Sequence, residues 1–163
     1  MPDVFTPEKR SEVMSAIRST GNKDTELRLM LLLRTAGIRG WRRHAMVTVP
    51  DTSRGAVRPV LKVKPDFVFW KMRVAIFVDG CFWHGCPRCY VRPKQNRKFW
   101  DNKVLYNRAR DLRVTKALRK AGWRVLRLWE CSLTSRQVNR TMGRIGRVLV
   151  QASEGPSHPV GRA

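Results

Sequence analysis

Two short apolar runs, at residues 67–70 and 74–78, constrain the fold of this chain more than any other feature. Each run is bounded by residues that interrupt regular structure, and each is rich in β-branched and aromatic side chains. This pattern is typical of strands that are buried on both faces. The three residues between the runs are few enough for a hairpin turn. The runs therefore predict the centre of a sheet that is covered on both sides.

Other segments predict helices and strands around this sheet. Capping residues, periodic apolar positions and glycine stops indicate helices at residues 6–19, 24–37, 99–120 and 135–151, and strands at residues 40–49 and 123–129. The helix at 99–120 is expected to turn an apolar stripe towards the core, formed by Leu105, Ala109, Leu112 and Leu118. The sequence thus predicts a single α/β domain over residues 1–151, with helices flanking a central mixed β-sheet.

Two segments do not match a regular element. Residues 50–60 contain two prolines, one glycine and two arginines, which predicts a loop or an insertion. Residues 152–163 combine Gly, Pro and Ser and are expected to form a disordered tail.

The chain carries a large positive charge. Its 163 residues include 34 Lys and Arg against 12 Asp and Glu, a formal net charge of +22 at pH 7. This charge favours a polyanionic partner, with nucleic acid the leading candidate, although a merely soluble or ribosome-associated basic protein has the same balance. A hydrophobic content of 42% excludes a disordered basic tail, and no apolar run approaches the roughly 20 residues of a membrane span. We expect a cytoplasmic protein, because residues 1–14 contain no stretch resembling a secretory signal.

Four cysteines have the spacing of a zinc site. Cys81, Cys86 and Cys89 follow the pattern C-x4-C-x2-C, and Cys131 comes directly after the last predicted strand region. Four thiolates would hold Zn²⁺ tetrahedrally and leave no position for water, so the zinc would be structural. The irregular loop at residues 80–97 would need such support, because it can bury too little apolar surface to be stable by itself. His84 as a substitute ligand and unrelated buried thiols are the alternatives.

Asp66 and Asp79 stand out among the few acidic residues. Asp66 begins one central strand and Asp79 ends the next, so the two should lie side by side at one edge of the sheet. A carboxylate pair in a cationic protein suggests Mg²⁺ held between the protein and a phosphodiester, and turn-forming aspartates are the alternative. His84 would then be the general base or the group that orients water. Asp111 and Glu26 would orient this histidine or support the metal, unless they form ordinary surface ion pairs.

Bulky aromatic residues flank the cysteine loop. Phe82 and Trp83 are adjacent within it, and Phe99 and Trp100 open the long predicted helix after a basic stretch. Adjacent bulky side chains in a loop cannot both face one core, so one or more of them should be exposed. Exposed aromatic rings among cations are suited to wedging between base pairs, whereas packing against the zinc loop is the alternative.

Several stretches carry a resemblance to a known family. They are NKDTEL at residues 22–27, PDFV at 65–68, FVDGCFWHGCP at 77–87, GWRVL at 122–126 and WEC at 129–131, preceded by Met14 and Ile17. Together they resemble the Vsr family, the very-short-patch-repair DNA mismatch endonucleases, over roughly residues 8–150 of the chain.

The resemblance implies a restriction-endonuclease-like fold and a Mg²⁺-dependent nick in one strand of a duplex, on the 5′ side of the thymine of a T:G mismatch. Such a nick initiates very short patch repair. A general nicking or restriction-type endonuclease of the same fold and a non-catalytic zinc-containing DNA-binding module are the alternatives. The expected partners are mismatched double-stranded DNA and mismatch-repair proteins, and we expect a monomer acting on nucleoid DNA.

The family pattern also implies roles for individual residues. Asp66 and the backbone carbonyl of Val78 would hold Mg²⁺, and His84 would act on the attacking water with support from Asp111 and Glu26. The structural zinc would be held by Cys81, Cys86, Cys89 and Cys131. The mismatch would be contacted by Phe82, Trp83 and Trp100 from the major groove and by Met14 and Ile17 from the minor groove. Some members carry histidine at the position of Asp79, so its role, catalytic or structural, is not decided by the pattern.

Overall fold

The computed structural model describes residues 23–51 and 60–155 of the chain. The helix predicted at residues 6–19, with Met14 and Ile17, therefore lies outside the described residues, as do residues 156–163 of the predicted tail.

The described residues form six strands and three α-helices. The strands are β1 (Arg42–Arg43), β2 (Val47–Pro50), β3 (Val60–Val63), β4 (Phe67–Phe69), β5 (Val74–Asp79) and β6 (Arg124–Trp129). The helices are α1 (Arg28–Thr35), α2 (Arg97–Lys120) and α3 (Val138–Ser153). A π-helical turn (Lys23–Leu27) leads into α1, and a 3₁₀ helix (Glu130–Leu133) follows β6.

A four-stranded mixed sheet forms the centre of the structure, with the strand order β1-β4-β5-β6. β4 is antiparallel to β1 and to β5, whereas β5 and β6 are parallel. The two apolar runs of the sequence are the neighbouring strands β4 and β5, and the turn between them contains Arg73 with a φ of 50°. The prediction of a mixed α/β fold around a central mixed sheet is confirmed.

The sheet is buried on both faces because successive side chains of a strand point to opposite sides. On one face, sheet residues pack against α1 and α3 in a core formed by Leu29, Leu33, Phe67, Phe69, Val74, Ile76, Leu126, Leu128, Leu133 and Ile145. On the other face, the antiparallel pair of β2 and β3 and the helix α2 complete a core formed by Val47, Val49, Val63, Val68, Ala75, Ala117, Leu118 and Trp123.

The long helix α2 ends at Lys120 as predicted and begins at Arg97, two residues before its predicted start, but the predicted inner stripe is wrong for three of its four residues. Leu105 and Leu112 are 61% and 56% exposed, Ala109 is also exposed, and only Leu118 is buried. The residues that face inwards follow steps of three and four, and they are Val104, Asn107, Asp111, Val114 and Leu118. Two of these side chains, Asn107 and Asp111, are polar and line the cleft described below. A prediction from apolar residues alone therefore chose the wrong face of the helix.

The segment predicted as one strand at residues 40–49 is two strands. His44, with a φ of 51°, separates β1 from β2, which pairs antiparallel with β3. Pro50 and Val60, at the two ends of the segment predicted as a loop, are paired in this ladder, and residues 52–59 lie outside the described residues. At the end of the ladder, Asp51 is buried and forms an ion pair with Arg113 of α2.

The last helix is displaced from its predicted bounds of 135–151. It begins at Val138 and ends at Ser153, and Ala152, which was expected in the tail, packs against the first core. Within residues 23–51 and 60–155, no helix combines the length and the apolar character needed to cross a membrane.

Candidate active site

A cleft of about 660 Å³ lies beside the end of β5 and the inner face of α2. Both acidic and basic side chains line this cleft. The acidic residues are Glu26, Asp66, Asp79 and Asp111, and the basic residues are Lys62, Lys64, Lys103, Arg110 and Arg127, with Val78, Trp83 and His84 among the others. The structure therefore brings all five residues predicted to be catalytic to one cleft.

Asp66 lies where β4 and β5 separate. Their pairing ends at Phe67 and Ile76, and the backbone N–H of Val78 donates to Oδ2 of Asp66 instead, at 2.7 Å. Burial raises the pKa of Asp66 to about 6 in spite of this hydrogen bond, and the nearby carboxylate of Glu26 adds to the effect. A carboxylate in this position is stabilised in its charged form by a cation.

Glu26, His44 and Asp66 form the first of two acidic clusters in the cleft region, and we call it the first cluster. One ligand atom of each lies within 4.8 Å of those of the other two. Glu26 belongs to the π-helical turn, and its Oε2 lies 2.8 Å from Nε2 of His44 and accepts a hydrogen bond from Arg43 at 2.7 Å. Carboxylate oxygens and an imidazole nitrogen are donors that suit a divalent cation.

Asp79, His84 and Asp111 form the second cluster, again with ligand atoms within 4.8 Å of one another. Nδ1 of His84 lies 2.5 Å from Oδ2 of Asp111 and 3.9 Å from Oδ1 of Asp79. Burial works to raise the pKa of Asp111, but the contacts with His84 and Arg127 outweigh it and leave this pKa below its ordinary value. An Nδ1–H held by a carboxylate leaves Nε2 of His84 as the nitrogen that can accept a proton.

Arg127, on β6, pairs with the carboxylates of the second cluster. Its Nε donates to Oδ2 of Asp79 at 2.8 Å, and one terminal nitrogen donates to Oδ1 of Asp79 at 2.5 Å. The same nitrogen lies 2.9 Å from Oδ1 of Asp111. Both oxygens of Asp79 are thus engaged by a guanidinium, and Asp79 belongs to a different cluster from Asp66 although both line the cleft.

The four cysteines converge as their spacing predicts. Their Sγ atoms all lie within 4.8 Å of one another, and those of Cys86 and Cys131 are 3.7 Å apart. Zn–S bonds of about 2.3 Å in a tetrahedron require sulfur atoms about 3.8 Å apart, so this cluster fits a four-thiolate zinc site. Burial opposes ionisation of Cys86, but backbone N–H groups and the neighbouring thiols lower its pKa to about 7. His84 lies in the second cluster and not in this one.

The loop that carries His84 is fastened to α2 by two side chains. Asn107 donates to the carbonyl of Trp83 at 2.7 Å, and Nε of Arg108 donates to the carbonyl of His84 at 3.0 Å. Arg108 also donates to the carbonyl of Gly85, which has a φ of 63° and where a Cβ atom would collide with α2. The cysteine cluster on one side and α2 on the other therefore hold His84 at the cleft.

The aromatic residues near the cysteine loop pack against one another. Ring centroids lie 4.9 Å apart for Phe82 and Trp100, 5.4 Å for Phe82 and Trp83, and 5.2 Å for Phe99 and Trp100. Phe82, Trp83 and Trp100 are nevertheless only partly buried, and Phe99 is exposed. We call these four residues the aromatic cluster. Its rings pack against one another and against the cysteine loop, as one alternative predicts, and they are also at least partly exposed, as the other predicts.

Sequence reasoning did not find His44, Arg43, Asn107, Arg108 or Arg127. His44 and Arg43 lie in the segment predicted as a strand at residues 40–49, and Asn107 and Arg108 do not belong to the apolar stripe predicted for the long helix. A signal for Arg127 existed, because the alternation of β6 puts it opposite the apolar Leu126 and Leu128. Its partner on β5 could be known only from the register, which pairs Phe77 with Arg127.

Comparison with known proteins identifies the class to which this site belongs. Residues 2–90 match the family model described as DNA mismatch endonuclease Vsr. The chain is 41% identical over 121 residues to the type II nicking enzyme V.NaeI of Lentzea aerocolonigenes, covering 74% of this chain and 67% of that protein. It is 38% identical over 136 residues to the nicking enzyme V.XorIIP of Xanthomonas oryzae, covering 82% and 88%. It is 37% identical over 139 residues to the DNA mismatch endonuclease Vsr of Escherichia coli, covering 84% and 79%.

These matches support a DNA endonuclease. The chain belongs to the Vsr family, and the resemblance inferred from the sequence motifs is confirmed.

Proposed function

We propose that the protein nicks one strand of duplex DNA on the 5′ side of the thymine in a T:G mismatch and so initiates very short patch repair. Mg²⁺ is the catalytic cofactor and Zn²⁺ the structural one. The observation that carries the proposal is the meeting, in one cleft, of the buried carboxylate of Asp66 and the His84–Asp111 pair. The proposal includes a restriction-endonuclease-like fold, which the mixed sheet and its flanking helices support.

The first cluster is the proposed place of the magnesium ion. Asp66 and the carbonyl of Val78 would hold it, with Glu26 in support, since hard oxygen donors are the ligands that Mg²⁺ prefers. When bound, such an ion would neutralise charge at the phosphodiester and make the attacking water more acidic. Nearby, Nε2 of His84 takes a proton from the attacking water, while Asp111 holds the imidazole at Nδ1.

The basic residues of the cleft are the proposed contacts with the phosphate backbone. Lys62 and Lys64 stand on and beside β3, whereas Lys103 and Arg110 stand on α2, and all four line the cleft and are exposed. Contacts with phosphates fix the position of a protein on a duplex without reading its sequence. The net charge of +22 favours the same partner.

The aromatic cluster is the proposed reader of the mismatch. A T:G pair stacks less well than a matched pair, so inserting aromatic side chains beside it costs less deformation energy. Phe82, Trp83 and Trp100 would enter from the major groove, and Met14 and Ile17 from the minor groove. The proposal also places the enzyme in the cytoplasm as a monomer on nucleoid DNA, with mismatch-repair proteins as partners.

A second candidate function is a nicking endonuclease that recognises a matched sequence. The observation that favours it is the naming of several relatives as type II nicking enzymes, V.NaeI and V.XorIIP among them. The cleft and its chemistry would be the same, and only the recognition of the duplex would differ.

The experiment that tests the proposal uses duplexes with a T:G, T:A or C:G pair at one central position and randomised flanking pairs. Each strand is end-labelled in turn, and the duplex is incubated with the protein and either Mg²⁺ or EDTA. The proposal requires a nick 5′ to the thymine of the T:G duplex alone, and only with Mg²⁺. Equal nicking of matched duplexes would favour the second candidate. Salt-sensitive binding without any nick would favour a non-catalytic DNA-binding module.

A further inference from the structure

Arg127 holds together three elements of the site. It stands on β6 beside Phe77 of β5, over whose ring its guanidinium carbon lies 4.7 Å from the centroid. It grips Asp79 at the end of β5 through two hydrogen bonds and reaches Asp111 on α2 through a third contact. The side chain is 22% exposed, so these contacts are made largely out of water.

The charges in the second cluster explain why a guanidinium is buried here. Burial works against a charged Arg127, but the hydrogen bonds that it donates to Asp79 and Asp111 outweigh this effect and raise the pKa of the guanidinium. Asp79 is 6% exposed, and a buried carboxylate without a cation would be costly. The pair is therefore matched in charge and in shape, since the planar guanidinium bonds a carboxylate through two parallel N–H groups.

The contacts of Asp111 are divided between its two oxygens. Oδ1 faces Arg127 at 2.9 Å, with Arg110 at 3.5 Å, and Oδ2 faces Nδ1 of His84 at 2.5 Å. With one oxygen held by Arg127, the plane of this carboxylate is set, and the plane sets the direction of the hydrogen bond to the imidazole. Arg127 thus acts on His84 through Asp111.

We propose that Asp79 and Arg127 form a clamp that positions the Asp111–His84 pair, and that Asp79 serves as the anchor of this clamp and not as a metal ligand. Both oxygens of Asp79 are occupied by Arg127, whereas Asp66 accepts one backbone N–H and stands beside Glu26 and His44. The effect on turnover rests on the proposed function, in which His84 takes a proton from water.

The test compares four variants with the wild type. Arg127→Met removes the clamp and leaves Asp79 unpaired, Arg127→Lys keeps the charge without the planar fork, and Asp79→Asn with Arg127→Met removes the whole pair without an unpaired charge. Arg124→Met is the matched control, because it makes the same change on β6 at the opposite end of the strand. Thermal unfolding and zinc content are measured for each.

The kinetic readout is single-turnover nicking of whichever duplex the wild type cuts. We expect Arg127→Met to slow turnover about 100-fold, since small misplacements of a catalytic group have effects of that size, while the KM for DNA changes less than about twofold. Arg127→Lys and the double variant should remain slow, with the double variant regaining stability. Wild-type turnover in either of them would show that Arg127 only balances charge and would overturn the clamp.

The second readout does not depend on activity. The chain has three histidines, so long-range ¹⁵N–¹H spectra of the imidazole rings can be assigned by substituting each in turn. We expect His84 to be the Nδ1–H tautomer in the wild type and in Arg124→Met. In the double variant, we expect that His84 no longer shows this single tautomer. An unchanged His84 pattern there would overturn the proposal, even if the protein cuts no mismatch. Failure of the mismatch assay alone would contradict only the proposed function.

Discussion

Two clusters of the same composition, each with one histidine and two carboxylates, stand in the cleft region and differ in their cations. In the first cluster, Arg43 pairs with Glu26, but Asp66 accepts a backbone N–H and has a pKa raised to about 6. In the second, Arg127 bonds both carboxylates, and the pKa of Asp111 is lowered. The two clusters therefore share their residue types, but they differ in how far nearby cations compensate the charges of their carboxylates.

This electrostatic difference favours a different function for each of the two clusters. A carboxylate whose charge is poorly compensated gains free energy from a divalent cation, whereas one already held by a guanidinium gains little. The first cluster is thus the better place for a metal ion. The second cluster is suited to holding an imidazole in one orientation. The following predictions test this division, from the largest expected effect to the smallest.

Asp66→Asn should have the largest effect. It removes the charge proposed to hold the cation, and we expect nicking to slow by at least about 1000-fold, or about 4 kcal/mol in the activation barrier. Binding of the duplex in EDTA, measured by fluorescence anisotropy, should be unchanged or tighter. Glu154→Gln removes an exposed carboxylate far from the cleft and is the control. Nicking by Asp66→Asn at the wild-type rate would place the metal elsewhere.

His84→Gln should slow nicking by about 100-fold to 10,000-fold, the range for loss of a general base. The physical reason is that a glutamine amide cannot accept the proton that Nε2 of His84 is proposed to take from water. Raising the Mg²⁺ concentration should not restore the rate, and a titration of single-turnover rate against Mg²⁺ measures this. Recovery at high Mg²⁺ would show that His84 acts in metal binding and would remove the distinction between the clusters.

His44→Gln should have a smaller effect, and it should change metal binding instead of the rate of nicking. His44 contacts Glu26 in the first cluster, so its loss should weaken metal binding by about 10-fold while the rate at saturating Mg²⁺ stays near that of the wild type. The same Mg²⁺ titration measures both quantities. A fall in the saturated rate with unchanged Mg²⁺ dependence would instead give His44 the role proposed for His84.

The pH dependence of stabilisation by Mg²⁺ should be the smallest effect. Without metal, Asp66 binds a proton below its pKa of about 6, so Mg²⁺ must displace that proton. Well above that pH, Mg²⁺ in excess should raise Tm by about 3 °C, and a pH unit below it, where binding is about tenfold weaker, the rise should fall below about 1 °C. Differential scanning fluorimetry measures the shift. Asp66→Asn should show no rise at either pH, and a rise that persists at low pH would contradict the assignment.

The same pKa gives the metal-free protein a defined trend in stability. The pKa of Asp66 is higher in the folded protein than the ordinary value of 3.8, so the contribution of this group to the free energy of unfolding falls as pH rises between the two values. The difference between the wild type and Asp66→Asn across this range isolates that contribution from those of other carboxylates.

Much of the fold was predictable because its signals are local. The central strands, the α2 bounds and the thiol loop follow from runs of a few residues, and the structure has all three. The inner face of α2 was not predictable from hydrophobicity, because Asn107 and Asp111 occupy it to fasten the His84 loop and to hold its imidazole. β3 and its pairing with β2 were not predicted, because the prolines and the glycine of residues 50–60 indicated a loop there.

The sequence by itself determined which chemical groups are present and on which elements they stand: a carboxylate at the start of β4, a histidine inside a cysteine loop, and four thiols with zinc spacing. Only the tertiary structure decided how their charges are paired. Arg127 and Asp79 are 48 residues apart and meet because β5 and β6 are parallel in one register, as Glu26 and Asp66 meet because the π-helical turn packs near β5. Electrostatic interactions act over distances in space, so the balance of each cluster depends on contacts that no local pattern contains.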